Sequence, residues 1–177
     1  MRTVSVAWDP TAQRFTALGG HAGQEISINA PHAAGTHHPP TGFSATELLL
    51  AAAGACSAWD VIEILRKRRE EITSLDVTVE GHQAPNPPWT YERVVLHFRI
   101  LGAGLAPAVM QRVVRLSCVR YCSVLATMRG VALLEATVEL LDADGTSSGR
   151  LPVSLRATPA ETLELVTLVE PPATDED

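Results

Sequence analysis

Three cysteines are the residues of this chain best suited to chemistry: Cys56 in "LLLAAAGACSAWD", and Cys118 and Cys122 in "LSCVRYCSV". A thiolate attacks electrophiles, ligates soft metals and exchanges with disulfides, so two thiols held close together make a minimal redox centre. The opposing reading is packing. Free cysteine is among the most buried residue types, and Cys56 ends a run of nine apolar residues, Leu48–Cys56, whose alanines and glycine suit a close helix contact. In a reducing compartment an odd number of cysteines favours transient over persistent disulfides. Both readings stay open on residue type alone.

Other chemistries leave little trace. Cys118 and Cys122 lie four apart and no C-x₂-C pair is followed by a second, so no metal site is expected. No Gly-rich loop follows a strand and opens a helix, so "GGHAG" reads as a turn and no nucleotide cofactor is expected. The G-x-S-x-G elbow of acyl-transfer enzymes is absent. His37 and His38 read as loop residues, and Trp59 and Trp89 as core or interface aromatics.

The elements that must position the cysteines follow from pattern. "TVSVAW" and "RFTALG" alternate with period two around "DPTAQ" and predict a hairpin, with "QEISINA" a third strand. The Gly/Pro/His-rich loop "PHAAGTHHPPTGFS" ends in a capping box, Ser44-Ala45-Thr46-Glu47, with Phe43 and Leu48 as its hydrophobic staple. The helix it starts is predicted from Ala45 to about Arg68, its basic "RKRR" turn complementing the C-terminal dipole. "SLDVTVEGHQ" and "YERVVLHFRIL" predict a long antiparallel pair. Val109, Val113, Leu116 and Arg120 predict one amphipathic helix that stops near Gly130, and "VALLEATVELLDADG" predicts a strand ending in an Asp-Gly turn. "LPVSLRA" and "LELVTLVE" suit two added strands before a solvated acidic tail.

The chain has 177 residues, 46% of them hydrophobic, enough for one domain with an ordinary core. A net charge of −6 with no basic footprint argues against nucleic acid or an anionic membrane as partner. The N-terminus lacks the pattern of a secretory signal, and the longest apolar run is too short to span a bilayer, so a cytoplasmic location is expected.

Two separated motifs, "TGFSATELLLAAAGACSAWDVIEILRKRREEITSLDVTVEG" and "LSCVRYCSV", resemble the OsmC/Ohr family of bacterial hydroperoxide-defence proteins, most closely its YhfA-like branch. The resemblance covers roughly residues 3–141, so residues 1–141 are expected to form an OsmC-like domain and 142–177 a C-terminal extension. It implies an α+β fold with curved antiparallel sheets, a long central cysteine-bearing helix and an intertwined homodimer. It also implies that Cys56 is a peroxidatic thiolate reducing organic hydroperoxides in oxidative-stress defence. Cys122 is then the resolving thiol, and a lipoylated or thioredoxin-like dithiol protein the reductant.

The sequence departs from the family's peroxidases at two places. Where an arginine is expected in a "GGR" turn stands His21, a weaker and pH-dependent cation. Thr46 replaces the glutamate ten residues before the cysteine, and Glu47, about 900° of helix from Cys56, faces away from it. A cysteine in mid-helix gains nothing from a helix N-terminus, so a lowered pKa calls for a cation or hydrogen bonds. Arg112, Arg115 and Arg120 of a partner chain are candidate cations. Leu49, Ala52, Ala53, Trp59, Asp60 and Glu63 share the helix face of Cys56, and an ionised Asp60 opposes thiolate formation. These departures keep an alternative open: a non-enzymatic protein that binds small apolar ligands or senses redox state, with weak or no peroxidase activity.

Overall fold

Alternating apolar and polar residues build the N-terminal hairpin, β1 (Val4–Asp9) and β2 (Arg14–Gly19), in the computed structural model of the protein. Asp9 closes the turn, its carboxylate accepting the Thr11 and Ala12 N–H groups at 2.9 Å. The residues described are 3–19, 23–29, 42–142 and 144–155. His21, His37, His38, the segment "LELVTLVE" and the acidic tail lie outside them.

The chain divides into two units, Met1–Ala53 and Gly54–Asp177. In the first, β3 (Glu25–Asn29) runs antiparallel to β2, and the two-residue β4 (Phe43–Ser44) runs parallel to β3. Trp8 and Phe15 face each other across β1 and β2 with ring centroids 5.0 Å apart. Helix α1 (Ala45–Arg68) starts in this unit and takes the expected boundaries. Its capping box is formed: Ser44 N–H donates to the Glu47 carboxylate at 2.7 Å, and Glu47 N–H to Ser44 Oγ at 3.2 Å. The backbone and side-chain hydrogen bonds from Ser44 hold the Glu47 carboxyl below its ordinary pKa.

The second unit holds the rest of α1 and a four-stranded sheet of order β5-β6-β7-β8. Strands β5 (Ser74–Gln83) and β6 (Tyr91–Leu101) form the expected antiparallel pair. Strand β7 (Leu133–Leu141) lies parallel to β6, so the chain between them crosses over, and this crossover carries the remaining helices. Strand β8 (Ser147–Val153) runs antiparallel to β7 after a turn closed by Gly145 at φ +83°; it starts earlier than the "LPVSLRA" segment and takes in that segment's Leu-Pro-Val. Val94, Leu96, Phe98 and Ile100 on β6, Val138 on β7, and Met110, Val113 and Val114 on α2 (Pro107–Leu116) are buried. Helix α2 packs on β7 and β8, and each such aliphatic or aromatic side chain contributes about 1.5–3 kcal/mol on full burial.

The single helix expected up to Gly130 is broken. Helix α2 passes into a π-helical turn, Ser117–Tyr121, then an extended Cys122 (φ −67°, ψ 104°), then α3 (Ser123–Met128). The hydrogen bonding widens there: Cys122 N–H reaches back five residues to the Ser117 carbonyl at 2.9 Å. The extra residue in that turn takes the helix out of register, and the backbone leaves the helical basin before restarting. Arg129 donates to the freed carbonyls of Cys118 (3.1 Å) and Val119 (2.9 Å).

By length and composition α1 is apolar enough to cross a bilayer, with a mean hydropathy of 1.7, a test that the core helix of a globular protein also passes. Its buried residues Ala53, Ser57, Val61 and Leu65 recur every four positions, the signature of a helix packed along one stripe.

Candidate functional site

Within the second unit, α1 approaches β5 closely at Gly54. A Cβ at that position would lie 2.9 Å from Val79 Cγ2, so only glycine fits without displacement. The buried hydroxyl of Ser57 donates to the Gly54 carbonyl at 3.0 Å, and that of Ser117 donates to the Ser57 carbonyl at 2.8 Å. These bonds tie α1, beside Cys56, to the first residue of the π-helical turn.

The result is a cluster drawn from two separated segments. The sulfur atoms of Cys56 and Cys122 and a carboxylate oxygen of Asp60 all lie within 4.8 Å of one another. Cys56 is half-buried and Cys122 buried. Ser123 Oγ stands 3.9 Å from Cys56 Sγ, and Cys122 Sγ caps α3 by accepting the Leu125 N–H at 3.5 Å.

The surroundings shift the two thiols in opposite directions. Desolvation is the largest influence on Cys56 and pushes upward. The Val124 N–H, the Cys122 thiol and the Ser123 hydroxyl pull downward, against a smaller upward push from Asp60, and the balance falls below the ordinary thiol value. Burial, reinforced by the neighbouring Cys56, drives Cys122 up to about 12. Cys56 is therefore the more readily ionised of the two thiols, and Cys122 the one that holds its proton more tightly. Burial first, and then Cys122 and Asp60, also push Cys118 to about 12. It lies in the π-helical turn as a packed thiol.

Two expectations bear on this balance, and only the one about a helix N-terminus changes. Asp60 does oppose the thiolate, but it is outweighed. A helix N-terminus does reach Cys56: it belongs to α3, whose Ser123 and Val124 supply the donors. Ser123 follows Cys122 directly in sequence, yet nothing in residue type signals that its neighbour's N–H faces another segment. Asp60, four residues after Cys56 on one helix face, was visible as a neighbour but not as a third corner of the cluster. Arg115 donates to the Ser154 carbonyl at 2.8 Å, and Arg120 lies over the Tyr121 ring at 5.9 Å. Trp59 is 62% exposed, which removes it from the core.

Asp60 also lines a cavity of about 610 Å³ between α1 and α2. Ile64, Val109, Val113 and Leu116 form its apolar wall, and Lys67, Arg68 and Arg112 its basic side.

An α+β chain with a cysteine on a long helix, a second cysteine at a helix break and two four-stranded sheets has the architecture of the OsmC-like proteins. Residues 36–137 match the OsmC-like protein family, and the chain belongs to it. Among curated relatives, Protein YhfA of Escherichia coli strain K12 is 38% identical over 81 residues, 46% of this chain. The chain spans about 60% of the length of the curated relatives it matches. A protein from Aquifex aeolicus VF5 superposes with a TM-score of 0.68 at 25% identity, covering 80% of this chain and 97% of that one. An OsmC-like protein from Mycoplasma pneumoniae gives 0.67 at 19% identity, covering 79% and 96%. The organic hydroperoxide resistance protein OhrB of Bacillus subtilis gives 0.57 at 16% identity, covering 78% and 97%, a likeness of fold.

Proposed function

We propose that this protein reduces organic hydroperoxides through Cys56 as the peroxidatic thiol and Cys122 as the resolving thiol. The observation that carries the reading is the pairing of a lowered and a raised thiol within 4.8 Å. Structural neighbours described as organic hydroperoxide resistance proteins, from Legionella pneumophila and Bacillus subtilis, support the reaction class.

The Cys56 thiolate attacks one peroxide oxygen, the O–O bond breaks, and the departing alkoxide takes a proton to become the alcohol. Cys56 is left as a sulfenic acid. Once the thiolate charge is gone, its upward push on Cys122 disappears. Cys122 then attacks the sulfenic sulfur, its proton leaves with the hydroxide as water, and a Cys56–Cys122 disulfide forms. A dithiol protein, lipoylated or thioredoxin-like, returns both thiols by exchange. The cavity lined by Asp60, Val109 and Leu116 gives room for the organic part of the substrate. A cytoplasmic homodimer completes the proposal.

Adding a slight excess of cumene hydroperoxide to the reduced protein tests it. Two thiols per chain are lost from the wild type, and none of that pair from Cys56→Ser. An unchanged thiol count in the wild type, or the same loss in both proteins, overturns it. The cavity also favours a second reading, binding of a small apolar ligand without turnover, which predicts saturable binding and thiols that hydroperoxide leaves untouched.

A further inference from the structure

We propose that Cys56, Asp60 and Cys122 bind a thiophilic divalent cation of the Zn²⁺ class through two sulfurs and one carboxylate oxygen, and that the bound ion keeps both thiols reduced. The three ligand atoms already lie within 4.8 Å of one another. Tetrahedral Zn²⁺ with Zn–S bonds of about 2.3 Å needs its sulfur ligands about 3.8 Å apart, so a contraction of about 1 Å or less closes the site. Cys56 and Asp60 stand four apart on α1, the spacing that presents two ligands on one helix face. Cys122 comes from the extended residue after the π-helical turn, held by its own N–H bond to Ser117.

A second, independent observation points to a cation. Asp60 Oδ2 is buried and accepts no hydrogen bond among the described residues. A carboxylate oxygen left in that state carries its full desolvation cost, which a bound cation offsets. The donor set selects the ion: two thiolates and one carboxylate suit Zn²⁺, whereas Mg²⁺ and Ca²⁺ require a cage of oxygens that this cluster lacks. Three protein ligands leave one coordination position to water, the pattern of an exchangeable ion.

On binding, Cys122 releases its proton to solvent as the second sulfur–metal bond forms, and no electron is transferred. Each sulfur–metal bond takes up one lone pair and draws charge off the sulfur, so attack on a peroxide and closure of the disulfide are both slowed. That consequence rests on the proposed peroxidase reading. The binding itself rests on the cluster alone.

The test is titration of the reduced full-length chain with Co²⁺, then Zn²⁺, under anaerobic conditions. The expected result is one Co²⁺ per chain, with a sulfur-to-cobalt charge-transfer band and tetrahedral visible bands, both erased by Zn²⁺. Cys56→Ser and Cys122→Ser remove the charge-transfer band or halve it, Asp60→Asn weakens binding at least about tenfold, and Cys118→Ala changes nothing. Because Cys122 variants can misfold, a second measurement uses the wild type: Zn²⁺ slows iodoacetamide labelling of Cys56 at least tenfold, as mapped by mass spectrometry. No charge-transfer band, a band that survives both single cysteine variants at full strength, or equal labelling with and without Zn²⁺ overturns the proposal. Cumene hydroperoxide acting on metal-free protein is scored separately. Zn²⁺ binding by a protein inert to peroxide sinks the peroxidase reading alone, and a peroxide-reactive protein without the cobalt signal sinks this one alone.

Discussion

Helices α1 and α3 both begin with unsatisfied N–H groups and a positive dipole end, and they meet that condition with different atoms. At α1 the oxygens of Ser44 and Glu47 take up the donors locally, and the start is closed. At α3 the cap is the sulfur of Cys122, a weak acceptor that engages Leu125 N–H at 3.5 Å, while Val124 N–H and Ser123 Oγ turn to Cys56. One start takes up its donors within its own first turn. The other keeps a sulfur cap and turns two donors toward the sulfur of a different segment.

The comparison breaks most visibly at Cys56. Cys56→Ser lowers hydroperoxide consumption by about a thousandfold or more, the scale on which removal of a nucleophile is felt, as measured by loss of cumene hydroperoxide. Next comes the cap of α3 itself. Cys122→Ser still oxidises at Cys56 but forms no intrachain disulfide, and turnover with a dithiol reductant falls by about tenfold or more. Intact mass after one equivalent of peroxide, with dimedone trapping of the sulfenic acid, separates these outcomes.

A third prediction concerns Cys118, whose thiol is pushed to about 12 in the folded chain against 9.0 for an ordinary thiol. The unfolded chain releases this proton first as pH rises, so the stabilising contribution is complete below about pH 9 and is lost toward pH 12. Urea unfolding between pH 10 and 11 therefore shows wild-type stability falling by about 1.4 kcal/mol per pH unit more steeply than that of Cys118→Ala.

The smallest effect tests the other helix start. Ser44→Ala costs about 1 kcal/mol in thermal or urea unfolding and leaves the labelling rate of Cys56 unchanged. Glu47, with its folded pKa lowered, contributes stability above the ordinary carboxylate pKa and loses it as pH falls through the folded value. The difference in Tm between wild type and Glu47→Gln accordingly shrinks on acidification from pH 7 to pH 3.

These two starts also mark what could be read from the sequence. Ser44 and Glu47 form a pattern of residue types, so α1 was legible to the residue, as were the β1–β2 hairpin and the β5–β6 pair from their alternation. The break at Cys122 was not. Val109, Val113, Leu116 and Arg120 keep helical spacing straight into it, and a hydrogen bond from residue i to i−5 has no compositional mark. For the site, Cys56 and Cys122 were legible through two separated motifs. Asp60 was legible as a charge but not as a corner of the cluster, and the Val124 donor is a backbone group that every residue type except proline possesses.

Gly54 has a mechanical consequence. It is the bearing surface on which α1 seats against β5, and the seating depth is passed along the helix to Cys56, two residues further on. A single methyl group at position 54 would act as a shim of 2.9 Å contact against Val79, lifting the helix off its seat. Misplacement of a reacting atom by about 1 Å can cost about a hundredfold in rate, so this position sets a machining tolerance for the thiol, one met by leaving a side chain out.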